Sequence, residues 1–141
     1  MQRTQNYNLC QWAAEDRILR SDFNADNQKI DAALAAGVKI ATGSYVGNGT
    51  FGESNARTLT FGFVPKIVFV VNASMSSSDY RATLINGCPV AQSSDYIAYG
   101  ITNVIWDDAA RSVTWYSKDG NNGVNAMLNR NGSTYLYAAL G

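Results

Sequence analysis

The spacing of apolar residues changes close to Gly37, and the predicted secondary structure changes with it. Before Gly37, apolar residues recur at intervals of seven and four, which places them on one stripe of an α-helix. The stripe consists of Phe23, Ile30 and Leu34. Ser21 suits the N-cap of this helix, and Gly37 suits the position just beyond its C-terminal cap. We therefore predict a helix over residues 22–36, with an earlier helical turn or two over 12–20.

After Gly37, apolar and polar residues alternate, as in strands with one buried face. Clusters of Gly, Asn, Ser and Asp separate these stretches, and no helical pattern lies between them. The predicted strands are 39–46, 56–63, 66–72, 80–86, 96–106, 112–117, 123–128 and 133–140. This succession favours a mainly β fold, in which a short N-terminal helical segment precedes a single antiparallel β-sandwich.

Three features predict how the strands are arranged. The stretch 66–72 is apolar at both strand phases, which favours a central position in its sheet. Ile105 and Trp106, followed by a polar turn and the next strand, predict a hairpin. The closing stretch, NAMLNRNGSTYLYAAL, predicts a second hairpin.

The predicted elements divide the chain into residues 1–37 and residues 38–141. The stripe of the first segment is too apolar to face water, so we expect it to form an interface between copies of the chain. The alternative is that the stripe packs on the β-domain of its own chain. Residues 1–37 are thus predicted to serve attachment and oligomerisation, and residues 38–141 to form the sandwich.

The charge balance excludes several classes of partner. Eleven basic and eleven acidic residues cancel, and neither sign is concentrated in one part of the chain. We therefore expect no nucleic-acid partner. No apolar run reaches the ~18 residues that a membrane span needs, so we expect no membrane insertion.

Candidate catalytic and metal-binding groups are few. The chain has no His, which is the commonest general base and metal ligand. Asp107 and Asp108 are neighbours, which favours a turn over a pair of cooperating carboxylates. Residues 119–123 are rich in oxygen ligands but lack the spacing of a calcium loop, which favours a hairpin turn. Cys10 and Cys88 are favoured to be separate thiols, with a disulfide left open. We predict no enzyme activity, no cofactor and no metal.

Aromatic residues are the remaining candidates for binding. Several lie near predicted strand ends and turns rich in Asn, Ser, Asp and Gly, where rings can stack on a sugar while amides and carboxylates bind its hydroxyl groups. The candidate saccharide-binding residues are Tyr80, Tyr96, Tyr99 and Trp106. The alternative for each ring is a place in the core or in a subunit interface.

Residues near the start of the chain carry a recognisable pattern. A Tyr-Asn-Leu, Trp and Asp group precedes an Asp-Phe-Asn, Asn and Lys-Ile-Asp group. The positions are Tyr7, Asn8, Leu9, Trp12, Asp16, Asp22, Phe23, Asn24, Asn27, Lys29, Ile30 and Asp31. This segment resembles the N-terminal segment of tail-associated structural proteins from phages and prophages of Gram-positive bacteria. Residues 41–50, 56–71 and 133–141 are similar to small β-sandwich domains of tail fibres and adsorption proteins.

The resemblance implies a virion tail component, usually a homotrimer, that attaches to other tail proteins through its N-terminal segment. It implies no catalytic residues. We therefore expect a non-enzymatic tail fibre or tail-tip protein, made in the bacterial cytoplasm without a signal peptide and possessing a surface that contacts host saccharide. The alternative is a free-standing, lectin-like carbohydrate-binding module. A third hypothesis is a scaffold that displays a target of hypermutation.

Overall fold

A computed structural model of the chain describes residues 2–74, 81–92, 101–118 and 123–141. The chain divides into two compact units, Met1–Val38 and Lys39–Gly141, one residue beyond the boundary predicted above. Strands account for 38% of the chain and helices for 19%, and the sheets are antiparallel. The prediction of a mainly β, antiparallel protein is confirmed.

The first unit contains one long helix and a small hairpin. Strands β1 (Gln2–Arg3) and β2 (Cys10–Gln11) pair antiparallel, and helix α1 spans Arg20–Ala35. The predicted helix is present, but Leu19 is its N-cap and no side chain caps it, so the capping role expected for Ser21 is wrong. The predicted helical turns before α1 are wrong too, because residues 12–19 form no helix and contain only a short hydrogen-bonded turn.

The second unit contains two four-stranded sheets. Their strands are β3 (Ile40–Val46), β4 (Arg57–Thr60), β5 (Ile67–Asn72), β6 (Arg81–Ile85), β7 (Val90–Gln92), β8 (Ile101–Asp107), β9 (Ser112–Tyr116) and β10 (Thr134–Leu140). Strands β3, β10, β5 and β6 form one sheet in that order, named here the β5 sheet, and strands β4, β9, β8 and β7 form the other, the β9 sheet. A short 3-10 helix (Glu53–Asn55) and helix α2 (Gly123–Ala126) complete the unit.

The buried faces of both sheets contribute to a single hydrophobic core. Its buried residues are Phe61, Val68, Val70, Ala82, Leu84, Val104, Val113, Trp115, Leu128, Tyr135 and Ala139. Tyr45 of β3 and Trp115 of β9 connect the two sheets, with ring centroids 6.2 Å apart. Aromatic rings dominate this contact because each buries a large apolar surface.

Strand β5 lies between β10 and β6, as predicted for a central strand. Its two faces differ, however. Val68 and Val70 are fully buried, whereas Phe69 and Val71 are 44% and 46% exposed. The predicted hairpin of β8 and β9 is confirmed, with Trp106 opposite Val113.

The predicted strand over residues 123–128 is wrong, and so is the second hairpin. The segment forms α2 and a turn, and β10 pairs instead with β3 and β5. Side chains of neighbouring strands satisfy its carbonyls, so it needs no strand partner: Thr102 Oγ1 donates to Ala126 O at 2.8 Å, and Trp115 Nε1 donates to Met127 O at 2.8 Å. A helical segment followed by a single sandwich is thus too simple, because a small third sheet and a second helix are present.

Candidate functional site

The predicted interface stripe lies fully on the surface of its unit. Phe23, Ile30 and Leu34 are 58%, 42% and 75% exposed, and no residue of α1 is buried. Leu19, at the N-cap, adds a further exposed apolar side chain. An amphipathic helix derives most of its stability from packing its apolar face, so this exposed stripe is a candidate interface.

A shallow apolar groove runs beside the stripe. Tyr7, Ile30, Ala33 and Leu34 line a cavity of about 180 Å³ that is open to solvent. The ring of Tyr7 is exposed, although it begins the Tyr-Asn-Leu pattern. The groove therefore extends the apolar surface of α1 onto the loop between β1 and β2.

Asp26 holds the β1–β2 hairpin against α1. Its Oδ2 accepts a hydrogen bond from the backbone N–H of Cys10 at 2.6 Å, and its Oδ1 accepts one from Lys29 Nζ at 3.1 Å. Lys29 Nζ also donates to Asn8 O at 2.6 Å, and Arg3 lies 3.5 Å from the same carboxylate. Hydrogen bonding to Cys10, and then to Lys29, lowers the pKa of Asp26 to about 2.

The sequence analysis missed the role of Asp26. The spacing of Asp26 and Lys29, three residues apart on a helix, indicates that the two side chains can meet. The bond from the Cys10 amide has no such local signal, because it joins residues 16 apart. Asp26 positions the stripe of α1 relative to the loop that completes the groove.

Both cysteines are free thiols, so the disulfide that the sequence left open is not formed. Cys10 is half-buried and its Sγ accepts a hydrogen bond from Arg3 Nη1 at 2.9 Å. Burial, and then a hydrogen bond with the Asp26 carboxylate, raise the pKa of the Cys10 thiol. Cys88 is exposed.

The saccharide-binding candidates are not brought together by the described residues. Tyr80, Tyr96 and Tyr99 lie outside them. Trp106 is half-buried and packs against the core, and its Nε1 donates to Cys88 O at 3.3 Å. Its ring therefore serves the core, which is the alternative given for it above, and saccharide binding by the four residues stays a prediction.

A buried polar cluster lies where β3 meets the segment that follows α2. Asn129 is 1% exposed; its Nδ2 donates to Asn48 Oδ1 at 2.6 Å and its Oδ1 accepts from Arg57 Nη2 at 2.6 Å. The Arg57 guanidinium lies 4.4 Å from the centroid of the Tyr45 ring. Burial raises the pKa of the Tyr45 hydroxyl, which donates to Leu128 O at 2.8 Å. Each of these groups has a partner within the chain, so the cluster fixes the fold.

The remaining candidates for chemistry have structural roles where they are described. Asp107 Oδ1 accepts a hydrogen bond from the backbone N–H of Ala110, and Asp108 Oδ1 accepts one from Asn86 Nδ2. The two carboxylates thus serve the β8–β9 turn and its neighbour. Residues 119–122 of the candidate calcium loop lie outside the described residues.

Among the residues that the structure describes, no three Asp, Glu or Cys side chains cluster closely enough to hold a metal ion. No helix in the same part of the chain has the length and apolar character needed to cross a membrane. Comparison with known proteins found no matching family model, no matching curated protein and no matching solved structure.

Proposed function

We propose that this chain is a structural component of a phage-type tail, a tail fibre or tail-tip protein, that assembles as a homotrimer through α1. The exposed stripe of Phe23, Ile30 and Leu34 carries the proposal. A second and a third copy offer the same apolar chemistry, and closed symmetry allows each copy to cover part of the next. The Tyr-Asn-Leu pattern that the segment shares with tail-associated proteins supports the same assignment.

The two units suit this function in different ways. The hairpin and α1 give the first unit a short attachment segment, which we propose docks to other tail proteins within the virion. The second unit has two sheets around one core, and we propose that it is a single β-sandwich presented outward. Loops at the end of such a scaffold can vary while the sheets hold them in place. No catalytic step is part of the proposal.

Contact with a host-surface saccharide is the less developed part of the proposal. It depends on Tyr80, Tyr96 and Tyr99, together with the exposed part of Trp106. A shallow site of this kind binds in the order of millimolar, roughly −4 kcal/mol. Three copies facing one cell can gain ~10²–10⁴ in avidity without a new contact.

The test of assembly is the mass of the full-length protein in solution between 10 and 100 µM, by light scattering and sedimentation. We expect a mass three times that of the 15.3 kDa chain. Phe23→Asp places a charge in the stripe and should dissociate the trimer. Gln28→Asp is the matched control, since ~100° per residue places it on the opposite side of α1.

A wild-type monomer at 100 µM would contradict the proposal, and so would a Phe23→Asp variant that keeps the wild-type mass. Circular dichroism of each variant shows whether the helix survives the added charge. Saccharide recognition is tested by measuring binding of the oligomer to intact Gram-positive cells and to a glycan array. No binding to either would assign recognition to another tail protein.

A further inference from the structure

The outward face of the β5 sheet carries apolar residues on all four of its strands, together with the polar residues Thr42, Ser44, Arg81, Thr83 and Thr134. One cross-strand row, named here the apolar row, runs from edge to edge of the sheet. It consists of Ile40, Leu140, Ile67 and Ile85, each paired with the next. Beside it, Phe69 lies next to Ala138, and Val71 lies next to Leu136. Arg81 is the only charged residue in these four strands.

The other sheet of the same unit provides an internal comparison. Its outward face presents mainly hydroxyl and carboxylate groups, from Thr58, Thr60, Thr114 and Asp107, with Val90 and Ile105 as exposed apolar residues. Thr58 and Thr114 share a hydrogen bond of 2.8 Å across the strands. An antiparallel sheet facing water alternates apolar and polar residues in this way. In the β5 sheet, the two central strands do not: β5 presents Ile67, Phe69 and Val71 outward, and β10 is apolar there apart from Thr134. The two outer faces are therefore built for different surroundings.

The size of the apolar face indicates an interface. Its six exposed large apolar residues, each between 44% and 67% exposed, are Ile40, Val46, Phe69, Val71, Ile85 and Leu136. With the half-buried members of the apolar row they present roughly 500–600 Å² of apolar surface, the upper end of what monomers leave exposed. A standard interface buries ~800 Å² on each partner, which this face and its border of Thr and Ser residues approach.

We infer that this face is an interface between copies of the chain, with the β5 sheets of the trimer facing a common axis. The inference takes its symmetry from the proposed trimer but rests on different residues from the stripe of α1. The face carries a single charged residue, Arg81, so a second copy of the same apolar face suits it better than a highly charged partner does.

The dimensions of the sheet fit three copies. Four strands ~4.8 Å apart make a face ~19 Å wide, and an equilateral triangle of that side has its centre ~5.5 Å from each side. Half of the ~10 Å spacing between packed sheets is nearly the same distance. Side chains of three such faces can therefore fill the space around a threefold axis, with Phe69 and Leu136 directed toward that axis.

A paired substitution tests the inference on the full-length chain. Leu136→Glu with Val71→Lys places opposite charges at directly paired positions, which supports the sheet while making its face polar. The matched control is Thr58→Glu with Thr114→Lys, the same charge pair at paired positions of the other sheet. We expect the first pair to raise the protein concentration at which half of the chains are assembled, the assembly midpoint, at least tenfold. The control pair should keep the wild-type midpoint.

Hydroxyl-radical footprinting of the wild type gives an independent readout. Phe69 and Leu136 should be several-fold less reactive in the assembled protein than at dilutions where it dissociates, whereas Ile105 should not change. A wild-type trimer in which Phe69 and Leu136 react as readily as when dissociated would overturn the inference and leave the proposed function standing. If the face is protected but the Phe23→Asp variant stays assembled, the inference stands and the proposed assembly through the stripe of α1 is overturned. Equal midpoints for the two charge pairs would also overturn the inference.

Discussion

The Asp26 carboxylate and the backbone N–H of Cys10 form a 2.6 Å hydrogen bond that joins helix α1 to strand β2. Charged acceptors make strong bonds of this kind, and the same bond contributes to the low pKa of Asp26, about 2. A carboxyl group whose pKa is lower in the folded state stabilises that state above its ordinary pKa of ~4. The contribution is lost as the pH falls from about 4 through 2.

We therefore expect the hairpin to separate from α1 only in strong acid. The amide proton signal of Cys10, followed by NMR from pH 6 downward, should shift with a midpoint near 2. Asp26→Asn removes the titrating group and should abolish that step. A wild-type midpoint close to 4 would mean that the bond to Cys10 does not persist in solution.

Local signals in the sequence predicted the elements that local physics governs. The spacing of Phe23, Ile30 and Leu34 indicated α1, and the turn after Asp107 indicated the β8–β9 hairpin. The strand predicted over residues 123–128 is absent because the carbonyls of this segment are satisfied by side chains far away in sequence, such as that of Thr102. No pattern within the segment contains that information.

The candidate sites show the same difference between what local sequence patterns predict and what distant contacts decide. The spacing placed Phe23, Ile30 and Leu34 on one stripe of α1 and left open whether the chain itself covers that stripe; the structure leaves it exposed. In β5, apolar residues at both strand phases indicated a central strand, and Phe69 and Val71 on one face of it are exposed in this chain. A pattern reports that a face avoids water and does not report whether the cover is the same chain or another copy.

The two thiols should differ in reactivity. The thiolate is the attacking species, and the raised pKa of Cys10 leaves less of it at neutral pH. Cys88 is exposed. Iodoacetamide at pH 7.5 should label Cys88 at least several-fold faster, measured by mass spectrometry on the single-cysteine variants Cys10→Ser and Cys88→Ser. Equal rates would contradict the burial of Cys10.

Gly47 should tolerate no side chain. It is buried at the end of β3, its N–H donates to Ser133 O at 2.8 Å, and a Cβ there would overlap the backbone of Asn129 and Arg130. Gly47→Ala must push this backbone aside, so we expect it to lower the free energy of unfolding by about 1–3 kcal/mol. Gly62→Ala, where a Cβ meets open space, is the control and should change it by less than about 0.5 kcal/mol in urea denaturation. Equal effects would show that the close approach is absent.

The indole of Trp115 should contribute more to stability than that of Trp106. Trp115 is 1% exposed and donates to Met127 O, a carbonyl in a fully buried residue, whereas Trp106 donates to Cys88 O near the surface. Trp115→Phe removes the donor, leaves the Met127 carbonyl unsatisfied and opens a small cavity. We expect it to cost about 2–4 kcal/mol in the free energy of unfolding.

Trp106→Phe is the matched control for this prediction, and it should cost about 1 kcal/mol or less because water can replace the lost donor. Urea unfolding followed by far-UV circular dichroism compares the two variants without depending on tryptophan fluorescence. If the two substitutions cost the same, the segment after α2 is not held by Trp115. Hydrogen bonds from strand side chains to its carbonyls would then not explain why residues 123–128 form no strand.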